Sequence, residues 1–249
     1  MRTRTTRSAA ALLFLAITSC AVLAAEAQDP NAPINAESHK EKIKVACIGD
    51  SITAGVGSKM AWPKMLQQML GDKWEVKNYG ISARTLLKKG DHPWDKEHQY
   101  QDAQKLNPDV VIIMLGTNDT KPQNWKLKDE FIPDYKDMIA TFNKADPKPR
   151  IFACHPPLVP GAGNFGITEA GVLEQIPMID AMAKEVGVGV IDMHDIFKGK
   201  DAMFPDRVHP NTDGATELAK AAYKKLTGKE FTGELKIETP APKKKDAAK

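Results

Sequence analysis

The stretch Asp109 to Leu115 reads Asp-Val-Val-Ile-Ile-Met-Leu, and no other feature constrains the fold of this chain so tightly. Its apolar residues leave no polar face, so the segment suits a strand buried on both sides in the middle of a parallel sheet. Shorter runs of the same kind stand at Ile43 to Ile48, Trp74 to Tyr79, Arg150 to Cys154 and Val188 to Ile191. Between them the spacing turns helical. Met65, Leu66, Met69 and Leu70 follow Pro63 and end at Gly71; Phe131 to Ala145 continues the pattern; Gly171 to Val186 carries an expected interruption near Pro177; and Thr212 to Leu226 precedes Gly228. Five strands alternating with helices predict an α/β fold, a three-layer α/β/α sandwich around a mainly parallel five-stranded sheet with right-handed crossovers.

Such sheets bind ligands at the carboxyl ends of their strands. Gly49-Asp50-Ser51 follows the first run, Asn78-Tyr79-Gly80 ends the second, and Gly116-Thr117-Asn118-Asp119 follows the third. Ahead of the last helix stands Asp206-Arg207-Val208-His209-Pro210. Each has a plain local reading: Asp50 and Ser51 as helix caps, Asn118 as a turn residue, Asp206 and His209 as a turn before a helix. As a set they supply the parts of nucleophilic catalysis. A serine hydroxyl needs a base, and His209 has a carboxylate three residues earlier that can accept from Nδ1 and aim Nε2 at Ser51.

Those four segments, in that order, resemble the sequence blocks of the SGNH hydrolases, also called GDSL-type esterases, over about Lys42 to Thr227. The resemblance implies a flavodoxin-like SGNH hydrolase fold with Ser51 as nucleophile and Asp206 and His209 as the pair that activates it. It also implies an oxyanion hole built from the backbone N–H groups of Ser51 and Gly80 and the side-chain amide of Asn118. Asp50 and Asp119 are expected to build loops. The second block continues Gly80-Ile81-Ser82-Ala83-Arg84, with a bulky Arg84 where many relatives keep small residues. From Gly80 to Trp94 the chain also looks like exported sialate and other carbohydrate O-acetylesterases.

The 249 residues divide into four parts. Residues 1–27, with Arg2, Arg4 and Arg7 before an Ala- and Leu-rich stretch and Ala25-Glu26-Ala27, read as a signal peptide. Two other readings stay open: a signal anchor, and a lipoprotein in which a lipidated Cys20 anchors the chain to a membrane. Residues 28–42 read as a linker, 43–228 as the hydrolase domain, and 229–249, with Lys243, Lys244 and Lys245, as a disordered basic tail. The expected localisation is secreted or periplasmic. A net charge of +3, partly carried by the two ends, gives the domain no basic face, so nucleic acid is not an expected partner.

Cys47 and Cys154 lie in apolar strand-like runs and are expected to pack unbridged. No zinc-type Cys/His spacing occurs, no metal or cofactor is expected, and His92, His98, His155 and His194 read as loop or surface residues. The inserts between the blocks are polar and hold Trp94, Tyr100, Trp125 and Phe165, which serve either as sugar platforms or as pins for loops. The expected function is an exported serine esterase that removes short acyl groups, acetyl foremost, from an acylated small molecule or oligosaccharide through an acyl-enzyme on Ser51. The alternatives are a lysophospholipase or thioesterase-type hydrolase of the same superfamily, and a non-catalytic carbohydrate-binding envelope module.

Overall fold

The structure is a computed structural model that describes residues 29–237. The expected signal segment with Cys20 and the lysine run at 243–245 lie outside the described residues. Each apolar run forms a strand: β1 (Ile43–Gly49), β2 (Trp74–Gly80), β3 (Val110–Met114), β4 (Arg150–Cys154) and β5 (Gly189–Ile191). All neighbours pair in parallel, in the order β2-β1-β3-β4-β5. The chain thus leaves β1 for one side of the sheet and returns on the other, and a crevice opens at the carboxyl ends of β1 and β3 where the order reverses.

The helices are α1 (Ser51–Ala54), α2 (Trp62–Leu70), α3 (His98–Lys105), α4 (Pro122–Trp125), α5 (Phe131–Phe142), α6 (Glu169–Val186) and α7 (Thr212–Thr227). Alternation along the strands sorts the core into two layers. Val45, Cys47, Ile112 and Met114 pack with residues of α2 and α7. On the other face Ile48, Val111 and Ile113 pack with residues of α5 and α6. The three-layer expectation holds. Cys47 and Cys154 are free thiols buried in the first layer, and burial pushes the pKa of each up.

Two expectations need correction, and one helix was missed. α6 runs unbroken through Pro177, because Thr168 caps its start, Gly187 ends it, and Val172, Ile179, Met182 and Ala183 bury its apolar side on both flanks of the proline. α3 was not visible in the sequence, since it buries only Ala103 and carries no apolar stripe. Finally, the supposed linker and the first part of the supposed tail are docked. The Arg150 guanidinium donates to Pro30 O at 2.8 Å and Ala32 O at 2.7 Å, and Ile34 N to Leu226 O at 2.8 Å. Downstream, Gln68 and Lys236 exchange two hydrogen bonds of 2.9 and 3.0 Å, while Ile34, Phe231, Leu235 and Ile237 pack on the first core layer. These few apolar residues give segments 30–34 and 229–237 enough buried surface to order.

Candidate active site

β1 ends at Gly49, and the chain turns at once into α1, with Asp50 as its cap: Oδ1 accepts from Ile52 N at 2.9 Å. Ser51 therefore stands at the first helical position above the carboxyl edge of the sheet, largely buried. The partner loop is built by Asp206. Its Oδ1 accepts from Val208 N at 3.0 Å and His209 N at 2.7 Å, folding the loop, and its Oδ2 lies 2.7 Å from His209 Nδ1. Partial burial pushes the Asp206 pKa up, but these bonds outweigh it and hold the carboxyl below its ordinary range. An ionised Asp206 keeps the ring proton on Nδ1, which leaves Nε2 as the acceptor, 2.9 Å from Ser51 Oγ. The sequence-expected Ser51, Asp206 and His209 are brought together in one hydrogen-bonded chain.

Asn118 reaches the same place from the end of β3. Its Nδ2 donates to Arg84 O at 3.2 Å and Asp50 Oδ2 at 3.4 Å, both long bonds. Gly80 does not join it. Gly80 is still a strand residue in register with Gly49, and its N–H donates to Asn78 Oδ1 at 2.8 Å. It is a glycine for another reason: a Cβ there would lie 2.3 Å from Ala54 N, inside α1. The residue of this block that lines the cavity is Ala83, with φ +67° and an N–H that no group accepts among the described residues. The expected Gly80 donor is thus not available, and the free N–H of this block at the cavity is that of Ala83. A small residue one turn past the strand was the available signal; a left-handed alanine is not legible in sequence. Arg84 has its own task, since its guanidinium grips Glu97 at 2.7 and 2.8 Å and Ser82 O at 2.9 Å, clamping the turn around Ala83.

Asp119 is fully buried and accepts from Leu86 N at 3.0 Å and Leu87 N at 2.8 Å, tying the third block to the second. Burial raises its pKa to about 7 and that of Asp50 to about 6, against the opposing pull of their hydrogen bonds. Both are loop-building residues, as expected.

Ser51, Ala83, Asn118 and His209 line a cavity of about 250 Å³ with Phe165 and Ile167. A larger hollow of about 460 Å³ beside Val190 and Lys225 is lined by no serine, cysteine or histidine. Phe165 is 56% exposed, and its ring centroid is 5.9 Å from that of His209. It sits in a tight loop in which Gly163 has no room for a side chain, since a Cβ would meet Ile167 O at 2.0 Å. Among the described residues four non-glycines have positive φ, and Ala83, Phe165 and Arg207 are three of them. Backbone strain thus gathers at this crevice. Trp94 and Trp125 are not platforms: Trp94 is fully buried and donates to Tyr79 O at 3.1 Å, and Trp125 packs on Phe131 and donates to Glu174 at 2.9 Å.

His155 and His194, expected as loop or surface residues, do lie in loops but are buried there. His155 Nε2 lies 2.8 Å from Asp180, and His194 lies between Glu169 at 2.7 Å and Asp195 at 2.9 Å. Glu169 and Asp180 come from α6, which no local pattern around the histidines could reveal. Among the described residues no group of three or more His, Cys, Asp or Glu side chains is arranged to hold a metal ion.

A serine, histidine and aspartate in this geometry, at the switch point of a parallel sheet, define a serine hydrolase site. The chain matches the GDSL-like lipase/acylhydrolase family over residues 47–216, and it belongs to that family of ester hydrolases. It is 38% identical over 204 residues to an acetylxylan esterase of Xylanibacter ruminicola, an alignment that takes in 72% of this chain and 42% of that protein. The chain thus spans less than half the length of this relative. Among solved structures, a carbohydrate acetylesterase from Sinorhizobium meliloti superimposes with a TM-score of 0.61 at 22% identity, over 74% of this chain and 98% of that one. An acetylxylan esterase from Geobacillus stearothermophilus gives 0.62 at 21% identity, over 78% and 98%. At these identities the structural likeness establishes the fold.

Proposed function

We propose that this protein is an exported esterase that removes acetyl groups from carbohydrate through an acyl-enzyme on Ser51. The observation that carries the reading is the continuous chain from Ser51 Oγ to His209 Nε2 at 2.9 Å and from Nδ1 to Asp206 at 2.7 Å. As Oγ attacks the ester carbonyl, its proton passes to Nε2, and the imidazolium is stabilised by Asp206. The carbonyl oxygen takes the negative charge and is met by the N–H groups of Ser51 and Ala83 and by Asn118 Nδ2. The long bonds of Nδ2 leave it free to favour a charged oxygen. Each donor contributes about 3 to 4 kcal/mol in such sites. Collapse expels the sugar alkoxide, which takes the proton from Nε2. Water, deprotonated by the same nitrogen, then attacks the acyl-enzyme, and Ser51 leaves with that proton as acetate departs.

The carbohydrate part rests on the acetylxylan esterase relative and on Phe165, an exposed ring beside the catalytic histidine that suits stacking on a sugar face. Export rests on the character of residues 1–27. The test is acetate release from acetylated xylo-oligosaccharides, with p-nitrophenyl acetate as a generic substrate and Ser51→Ala as the blank. Cleavage of the aryl ester without any saccharide turnover would discard the carbohydrate reading.

A further inference from the structure

Lys121 lines the same cavity as Ser51 and His209. Its place is fixed by the chain. It lies three residues after Asn118 and directly before Pro122, which confines its backbone to the observed extended conformation, φ −57° and ψ 140°. Its carbonyl caps α4 by accepting from Asn124 N and Trp125 N, both at 2.8 Å, and its own N–H donates to Asn118 O at 3.3 Å. The stem runs beside the Phe165 loop, with Cγ 3.8 Å from where a Cβ on Gly166 would stand.

Two observations together single out this lysine: it lines the cavity and it is unpaired. Lys88 pairs with Asp137 at 2.6 Å, Lys89 with Glu130 at 2.8 Å and Lys128 with Glu174 at 3.0 Å, while Lys126, just past α4, is also without an ion pair among the described residues but does not line the cavity. Lys121 forms no ion pair among the described residues. Its positive charge reaches Asp91, where it joins the Asn124 and Gln123 hydrogen bonds in outweighing the effect of burial. The carboxylates nearest the chemistry are engaged elsewhere: Asp206 by His209 and its loop, Asp50 by Ile52 N and Asn118, Asp119 by Leu86 and Leu87. No carboxylate lines the cavity. Arg207, between Asp206 and His209, is a second exposed cation without an ion-pair partner among the described residues. The cavity lining thus carries one cation, Lys121, and no carboxylate, with Arg207 exposed on the adjoining loop.

We propose that Lys121 is a specificity residue that selects acetyl esters on saccharides bearing a carboxylate, such as a uronic acid, placed so that the anion meets its ammonium while the acetyl carbonyl meets Ser51. The saccharide half of this statement rests on the function proposed above; the preference for an anion rests on Lys121 alone. An ion pair in a partly exposed cleft is expected to favour the anionic substrate about threefold to tenfold in kcat/KM. Added salt should weaken it.

Two matched pairs separate the two claims. The first is acetylated xylo-oligosaccharides with and without a uronic acid branch; the second is 3-acetoxybenzoate and its carboxamide, which differ in charge but contain no sugar. Wild type should prefer the carboxylate in each pair, Lys121→Met should abolish the preference, and Lys121→Arg should retain it. The readout is the ratio within a pair, so a general loss of activity does not obscure it. A preference in the aryl pair with no saccharide turnover would overturn the sugar reading and leave the charge selection standing. Equal rates within both pairs in wild type, or a preference that survives in Lys121→Met, would overturn the role of Lys121.

Discussion

The Gly80 N–H donates to Asn78 Oδ1 at 2.8 Å, two residues back along β2, and is thereby withdrawn from the reaction. The free donor is Ala83, held at φ +67°. A left-handed alanine costs about 1 kcal/mol or more relative to glycine. Ala83→Gly should therefore keep acyl transfer and raise stability by roughly 1 kcal/mol, less the extra entropy of an unfolded glycine. Gly80→Ala should lose activity by displacing α1 and should melt markedly earlier. Thermal denaturation beside p-nitrophenyl acetate turnover decides it: a Gly80→Ala protein of normal stability and no activity would return the donor role to Gly80.

Ser51→Ala should remove turnover by about 10⁴-fold or more while leaving the melting temperature near wild type, because among the described residues Oγ bonds only to His209. Asp206→Asn should cost on the order of 10³ to 10⁴-fold, since an amide beside Nδ1 favours the wrong tautomer. Circular dichroism must accompany the kinetics, because Asp206 also folds its loop. Wild-type activity in Asp206→Asn would reduce the site to a Ser/His dyad.

Stability should fall as pH rises from about 4 to about 7. Asp50 and Asp119 have folded pKa values raised by burial from 3.8 to about 6 and about 7, so across that window the folded state binds protons that the unfolded state has released. The contribution is complete below the ordinary carboxylate value and is lost as pH passes the raised ones. His194 is raised by Glu169 and Asp195, and His155 by Asp180 and Asp192 against burial, so both extend the decline above pH 6.5. Asp192 and Asp206, held low by their hydrogen bonds, work in the opposite sense only at more acid pH. Melting temperatures from pH 4 to 8 test this, and a midpoint that climbs from pH 5 to 7.5 would contradict it.

Specificity should fall from acetyl to octanoyl esters. The cavity holds about 250 Å³ and is shared by the reacting carbonyl, Phe165 and Ile167. A lipid esterase would gain about 0.8 kcal/mol for each methylene it buried. A kcat/KM series on p-nitrophenyl esters from C2 to C8, with detergent controls, gives the slope; a steep rise would favour the lysophospholipase-type alternative.

The strands were legible because buried parallel strands advertise themselves as unbroken apolar runs, β3 above all. Ser51, Asn118, Asp206 and His209 were legible because their chemistry needs those side chains. The role proposed for Ala83 is played by a backbone N–H, which any residue but proline possesses, so the resemblance pointed to the glycine three positions earlier. Lys121 belongs to no motif, and only the fold places it in the lining of the cavity that holds the serine. Trp94 and Trp125 were ambiguous by composition, and only the burial of Trp94 and the contacts of Trp125 with Phe131 and Glu174 showed that they pin loops. Glu169 and Asp180, one acid partner each of His194 and His155, arrive from a helix distant in sequence, and the docking of segments 30–34 and 229–237 depends on a few scattered apolar residues with no periodicity.

Arg150 opens β4 and grips Pro30 O and Ala32 O, so the chain entering from residue 29 is fastened at the amino ends of the strands. Ser51 and Asn118 stand beyond the carboxyl ends. The point of entry at residue 29 and the cleft therefore lie at opposite ends of the sheet, so whatever is joined at that entry, a surface or a fused reporter, leaves the serine facing open solution like a lamp turned away from its stem.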